Sequence, residues 1–118
     1  MLLISHRGNI EGPNSQLENH PTRIDSAINL GYDCEIDVRI VDNKIYLGHD
    51  NPQHLINILW LHNRKNNLWI HCKDLVTFSK FNTHYSKFNY FFHESDLGVL
   101  TSHHYIWSTN NINNGILV

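Results

Sequence analysis

Three short polar clusters occupy the first half of the chain, and each closes or interrupts a run of apolar residues. They are His6-Arg7-Gly8 after Leu2-Leu3-Ile4, Glu35-Ile36-Asp37 inside a strand-like stretch, and Gly48-His49-Asp50 after Ile45-Tyr46-Leu47. Two histidines, an arginine and a pair of carboxylates are the parts needed to bind a divalent cation and cleave a phosphate ester. Glu35 and Asp37, two apart on a strand, leave the same face. Two carboxylates held that close repel unless a cation or a proton sits between them, and oxygen ligands favour Mg²⁺, Ca²⁺ or Mn²⁺. The plainer alternative is the solvent-facing polar side of an antiparallel strand. Histidine titrates near neutrality, so His6 and His49, one neutral and one protonated, can act as base and acid across a P–O bond. Taken singly, each is equally a cap on backbone groups at a strand end. Arg7 offers a rigid fork that matches phosphate oxygens, and Gly8 lets the backbone turn sharply beside a ligand.

Further along, His71 and Lys73 share one face of the stretch Leu68–Lys73. A lysine there would neutralise charge developing on a phosphate; the alternative is an ion pair from Lys73 to Glu35 or Asp37. Glu18 and Asn19 precede the first predicted helix. They either support Arg7 or His6 from behind or, in the case of Asn19, cap that helix. Asp50 stands next to His49 in the same supporting capacity. His93 and Glu94 close a later strand, either at the same mouth or away from it. His103-His104 read as surface, and Trp107 either walls a substrate pocket or belongs to the core.

What must position these groups is a chain that alternates strands and helices. Leu2–His6 reads as a short buried strand, and Gly8–Asn19, rich in Gly, Pro, Asn and Ser, as a loop. Pro21 opens a helix with Ile24, Ala27 and Ile28 at helical spacing and Gly31 as its C-terminal cap. Cys34–Ile40 alternates, with Cys34, Ile36 and Val38 on one face and Glu35, Asp37 and Arg39 on the other. Asp42-Asn43 then turns the chain back into Lys44–His49. Pro52 opens a second helix through Asn63, apolar at Leu55, Ile56, Leu59 and Trp60. Leu68–Lys73 is the next strand, Asp74–Phe81 a short helix carrying Leu75 and Phe78, and Asn89–Glu94 another strand. Val99–Ser108 holds one more, and Gly115–Val118 a last one. Such alternation implies an α/β fold with a mainly parallel sheet and outer helices. The face bearing Glu35, Asp37, His71 and Lys73 would line a barrel interior or its mouth.

With 118 residues the chain supports one domain over positions 1–118, large enough for a real core but small for a multilayer enzyme. Nine Lys and Arg against eleven Asp and Glu, with no basic run, argue against a nucleic-acid backbone as the main partner. No apolar run approaches the roughly 20 residues that span a bilayer. Met1 leads straight into a strand without a basic region or cleavage site, and Cys34 and Cys72 are too few for a disulfide framework, so a cytoplasmic chain is expected. The chain closes on Ile116-Leu117-Val118. Either this last strand pairs across a subunit interface, giving a homodimer, or the natural protein continues.

Taken in order, the segments ISHRG, LENHP and NLGYDCEIDVRIVDNKIYLGHD resemble the glycerophosphodiester phosphodiesterase family, within the phospholipase C-like phosphodiesterases. That family opens on a strand ending in His-Arg-Gly. A Pro-Glu-Asn-Thr-like loop, a helix ending in Gly, a Glu-x-Asp-Val strand and a hairpin closing in His-Asp follow. The likeness is nearly continuous from Leu3 to Asp50; the second half resembles only small, shortened relatives, through HESD and YIW. The resemblance implies metal-assisted phosphodiester hydrolysis and a place in lipid metabolism. His6 and His49 would be the acid/base pair, Arg7 would hold the phosphate, and Glu35 and Asp37 would bind the divalent cation. A neighbouring hydroxyl of the substrate alcohol would attack first, giving a cyclic phosphate that water opens. Where the family carries a third metal-binding Glu two residues before a Lys, this chain has His71, with Lys73 retained. A histidine ligand shifts preference away from Ca²⁺ toward Mn²⁺, Zn²⁺ or another softer ion, or weakens binding. A complete (β/α)₈ barrel needs about 250 residues, so the expected fold is a partial or truncated TIM-type barrel.

The expected function is therefore hydrolysis of a small-molecule phosphodiester, a glycerophosphodiester or related polyol phosphodiester. The alternative, motivated by His71 and the short scaffold, is a catalytically degenerate module of the same fold that binds a phosphate or polyol phosphate without cutting it. A third reading makes the polar clusters ion pairs of a structural subunit.

Overall fold

The computed structural model describes residues 3–12, 14, 16–94, 98–108 and 115–117. Leu2 of the first expected strand, Ser95 and Asp96 of the HESD segment, and Val118 lie outside the described residues.

Strand β1 (Ile4–His6) leads through a loop into helix α1 (Pro21–Asn29), and the chain returns as β2 (Asp33–Val41), parallel to β1. Pro21 sits in the first turn of α1, where its missing N–H leaves nothing unsatisfied. The cap is His20, whose Nδ1 accepts from the Thr22 N–H at 3.2 Å, and not Asn19. Gly31 ends the helix at φ +94°, a left-handed position that suits glycine. Asp42 and Asn43 adopt φ +51° and +62°, the pair of left-handed residues that a tight hairpin turn requires. They feed β3 (Lys44–Leu47), antiparallel to β2.

The helix expected from Pro52 begins later. His54–Ile56 form strand β4, antiparallel to β3, and helix α2 covers only Ile58–Arg64. Asn57 causes the shift: its Oδ1 accepts from the Trp60 N–H at 2.9 Å, an N-cap inside the stretch expected to be helical. Leu55 and Leu59 are therefore exposed, and Leu61 is the buried residue of α2. After a 3₁₀ turn (Lys65–Asn67) come β5 (Leu68–Cys72), parallel to β2, and α3 (Leu75–His84), capped by Asp74. Leu75 is exposed, and Thr77 and Phe81 are the residues α3 buries. Then follow β6 (Tyr90–Phe91), parallel to β5, and three strands β7 (Gly98–Leu100), β8 (Ile106–Ser108) and β9 (Gly115–Leu117).

The main sheet has the order β4-β3-β2-β5-β6, with β1 also on β2. Because β5 takes one edge of β2 over Cys34–Val38, β1 and β3 share the other, at Asp33–Glu35 and Val38–Val41. The sheet is mixed, and the expected partial or truncated TIM-type barrel with a mainly parallel sheet is not formed. The cause is local. The reversals after β2 and β3 add two antiparallel neighbours where a barrel requires helical crossovers. The chain after β6 departs for a second sheet of order β7-β8-β9 and does not extend the first. The single strand expected over Val99–Ser108 is two antiparallel strands, broken by a turn in which His104 takes φ +69°. β9 finds its partner in β8 of the same chain.

Period-two alternation in β2 and β5 separates two faces. Cys34, Ile36, Val38, Leu68, Ile70 and Cys72 pack with Ile24 and Ala27 of α1, Leu61 of α2 and Phe81 of α3. On the opposite face, Trp69 and Phe91 pack against Trp107 of β8. Beside them lie Glu35, Asp37 and His71, also buried. Among the described residues, no helix is long and apolar enough to cross a membrane.

Candidate functional site

Register alone assembles the centre of the site. Pairing of β1 with β2 sets His6 beside Glu35, pairing of β2 with β5 sets Asp37 beside His71, and pairing of β5 with β6 sets His71 beside Phe91. Directly paired residues project from the same face, so these side chains meet. One donor atom each from Glu35, Asp37 and His71 lies within 4.8 Å of the others.

The hydrogen bonds of the two carboxylates are uneven. Asp37 Oδ2 accepts from Asn19 Nδ2 at 2.9 Å, and Asn19 Oδ1 accepts in return from the Asp37 N–H at 2.9 Å. Arg7 Nε lies 3.0 Å from the same Oδ2. Asp37 Oδ1 faces His71 Nδ1 at 3.3 Å and Lys73 Nζ at 4.0 Å. His6 Nε2 is 3.1 Å from Glu35 Oε2. Yet Glu35 Oε1 and Oε2 and Asp37 Oδ1 are buried without an aligned hydrogen-bond donor among the described residues. Unpaired buried carboxylate oxygens are costly, and a proton or a divalent cation would offset that cost. The donor set fits one: two carboxylates and an imidazole, close enough to share a single ion.

Electrostatics tell the two carboxylates apart. Burial, reinforced by the Asp37 charge, pushes Glu35 well above the usual carboxylate range, with Arg7 and Lys73 pulling less strongly the other way. Burial also pushes Asp37 upward, but His71, the Asn19 amide and the Arg7 guanidinium together hold it below that range. The pair thus accommodates one extra positive charge, a proton or a cation, next to Glu35.

The remaining predicted residues surround this centre. His6, Arg7, Glu35, His49, His71 and Lys73 line one cleft of about 370 Å³, together with His93, Glu94 and Trp107. Arg7 is braced, its Nη1 donating to Glu18 Oε2 at 3.2 Å. Of the two supporting residues before α1, Glu18 therefore serves Arg7 and Asn19 serves Asp37. His49 Nδ1 lies 2.8 Å from Asp50 Oδ1. Burial, then the Arg7 charge, lowers the pKa of His6. Trp107 lines the cleft and also belongs to the core, where it stacks on Phe91 at 4.9 Å. His103 and His104 are exposed and outside the cleft lining. A larger groove of about 490 Å³, between the β3–β4 hairpin and Tyr85, is lined by no histidine or carboxylate.

One positioning residue carries no mark in the sequence motifs. Arg39 donates from Nε to the Gly48 carbonyl at 3.1 Å and from Nη2 to the His49 carbonyl, so it ties down the loop that carries His49. The one available signal is its place on the same strand face as Glu35 and Asp37. Gly48 belongs to the same device, since a Cβ there would lie 1.9 Å from the Asn51 carbonyl oxygen. Both cysteines are free and face the helices, and burial pushes the Cys34 thiol up to about 12 and raises Cys72 as well, so neither is a thiolate nucleophile. Compared with models of known protein families, with curated proteins and with solved structures, the chain matches none.

Proposed function

We propose that this chain is a metal-dependent phosphodiesterase, a shortened relative of the glycerophosphodiester phosphodiesterases that hydrolyses a glycerophosphodiester or related polyol phosphodiester. The observation that carries this reading is the convergence of His6, Arg7, Glu35, His49, His71 and Lys73 on one cleft, with Asp37 fully buried among them. Glu35, Asp37 and His71 would hold a divalent cation, for which Mg²⁺, Ca²⁺ and Mn²⁺ are the candidates. Once bound, such an ion supplies neutralisation of charge on a phosphoryl oxygen. Arg7, held by Asp37 and Glu18, and Lys73 would take the other phosphate oxygens.

His6 serves as the base in this reading, because burial and the Arg7 charge favour its neutral ring. It removes the proton from a substrate hydroxyl next to the phosphate. That oxygen bonds to phosphorus as the bond to the departing alcohol breaks. His49, oriented by Asp50, gives the departing alkoxide its proton. Water then opens the cyclic phosphate with the two histidines in exchanged roles. The same reading places the chain in the cytoplasm, in keeping with two free, buried cysteines, and takes no nucleic acid as partner. The same reading allows a homodimer.

The test is release of phosphomonoester from a panel of glycerophosphodiesters with each divalent metal in turn. Turnover should depend on metal and fall at least about 100-fold in His6→Ala and in His49→Ala, with unchanged urea midpoints. Substantial activity in both variants defeats the reading. The degenerate binding module has one observation in its favour: Arg7 and His6 already lie against Asp37, Glu18 and Glu35, which engages them with the protein's own carboxylates. It expects calorimetric binding of a phosphodiester with no hydrolysis under any metal.

A further inference from the structure

We propose that the Glu35–Asp37–His71 centre selects a transition ion, Zn²⁺ or Mn²⁺, over Mg²⁺ and Ca²⁺, with His71 Nδ1 as its nitrogen ligand and the main-chain carbonyl of His93 setting that choice of atom. This rests on the metal-binding part of the proposed function and deepens it.

His71 Nε2 lies 3.1 Å from the His93 carbonyl oxygen. A carbonyl only accepts, so Nε2 carries the proton, and in the neutral ring Nδ1 keeps its lone pair. Nδ1 is also the atom turned to the carboxylates, 3.3 Å from Asp37 Oδ1 and 4.0 Å from Glu35 Oε1. The ring plane is held by near-parallel stacking on Phe91, at 5.0 Å and 13°, and on the His93 ring, at 4.8 Å and 14°. An imidazole that donates one N–H to a backbone carbonyl, with its other nitrogen turned to anionic oxygens, has the support by which metal-binding histidines are oriented. Both carboxylate oxygens of Glu35, 1 % exposed, and Oδ1 of the fully buried Asp37 have no aligned donor among the described residues. Two carboxylates with an imidazole form a mixed oxygen–nitrogen set. Mg²⁺ and Ca²⁺ favour oxygen alone, whereas affinity of such a set rises from Mn²⁺ to Zn²⁺. The competing account is a structural pair in which a protonated His71 donates from Nδ1 to Asp37 and no ion binds.

The experiment is calorimetric titration of metal-stripped full-length protein with the chloride salts of Zn²⁺, Mn²⁺, Mg²⁺ and Ca²⁺, repeated on His71→Glu. Zn²⁺ and Mn²⁺ should bind at least about tenfold more tightly than Mg²⁺ or Ca²⁺, and His71→Glu should erase or invert that order. Asp37→Asn should abolish the tight site and so separate it from weak binding by the other histidines. In ¹⁵N-histidine spectra of the wild type, Zn²⁺ should shift Nδ1 of His71 while Nε2 stays protonated. Equal affinity for Mg²⁺ or Ca²⁺, an unchanged order in His71→Glu, or a shift at Nε2 overturns the proposal. Should His71→Glu not fold, the wild-type spectra decide alone. None of these readouts uses turnover. Selective binding without hydrolysis sustains the inference and defeats the hydrolase, and hydrolysis with indiscriminate binding does the reverse.

Discussion

Replacing Glu35 by Gln removes a titratable carboxyl from the most enclosed part of the site and leaves its shape. Burial, followed by the Asp37 charge, holds the Glu35 carboxyl well above its ordinary range. In metal-free protein the folded state thus keeps a proton that the unfolded chain releases once pH passes the ordinary value. A folded state that binds more protons than the unfolded one loses stability as pH rises between the two values. The slope reaches about 1.4 kcal/mol per pH unit. From about pH 5 upward the wild type should therefore lose stability at up to that rate relative to Glu35→Gln. Asp37 acts in the opposite sense: against the effect of burial, His71, Asn19 and Arg7 hold its folded carboxyl low. Its contribution is present above the ordinary carboxylate value and lost as pH falls through the folded value. Being common to both proteins, it largely cancels in the comparison. Urea unfolding of both proteins in EDTA, at intervals across this range, is the assay. With a slope of about 1–3 kcal/mol per molar urea, the midpoints should separate by up to roughly 0.5–1.4 M for each pH unit. Excess Mn²⁺ should reverse the order, since a cation keeps Glu35 ionised and stabilises the wild type alone. A midpoint difference that stays constant across the range, or a wild type that gains on the variant with rising pH in EDTA, refutes the reasoning.

Two further substitutions probe the supports of the site. Asn19→Ala removes both buried hydrogen bonds to Asp37 at a position with φ +61° and should cost about 2–4 kcal/mol. Asn19→Gly, free of backbone strain, should recover about 1 kcal/mol of that in thermal melts, and no recovery would mean that strain contributes nothing there. Gly48→Ala must displace the loop that carries His49, because the new Cβ would meet the Asn51 carbonyl. Turnover should fall at least about tenfold while Mn²⁺ affinity holds, and a joint loss of both would show that the loop and the metal centre are not independent.

The centre of the site is legible in the sequence because it depends on a period of two. Alternation across Cys34–Ile40 and Leu68–Lys73 sorts Glu35, Asp37, His71 and Lys73 onto one face by residue order alone, and correct register does the rest. The architecture depends on pairings that no local pattern encodes. His54–Ile56 carries helix-compatible residues and becomes a strand because β3 offers it an edge. Asn57 caps a helix with a residue type equally at home in a loop. Asp42-Asn43 is readable as a turn, but its effect on the sheet follows only from the sharing of one edge of β2 by β1 and β3. Arg39 is hidden for another reason: its partners are main-chain carbonyls, and a carbonyl leaves no mark in the residue types. Asn19 reads as a support, but of Arg7 or His6 and not of Asp37, since a hydrogen bond across eighteen positions is set by the fold and not by adjacency.

β2 is paired on both edges at Cys34, Glu35 and Val38 and buried on both faces from Cys34 to Val38. Backbone held in this way exchanges its amide hydrogens with solvent only when the whole domain opens, whereas thinly paired segments exchange through local openings. The acidic pair thus sits on a floor that moves only with global unfolding. The walls are different: His49 hangs from the loop after β3, and His93 follows the two-residue strand β6. A cleft built so can change what it admits by altering its loops, while the element that carries the electrostatic cost stays where the backbone is best secured.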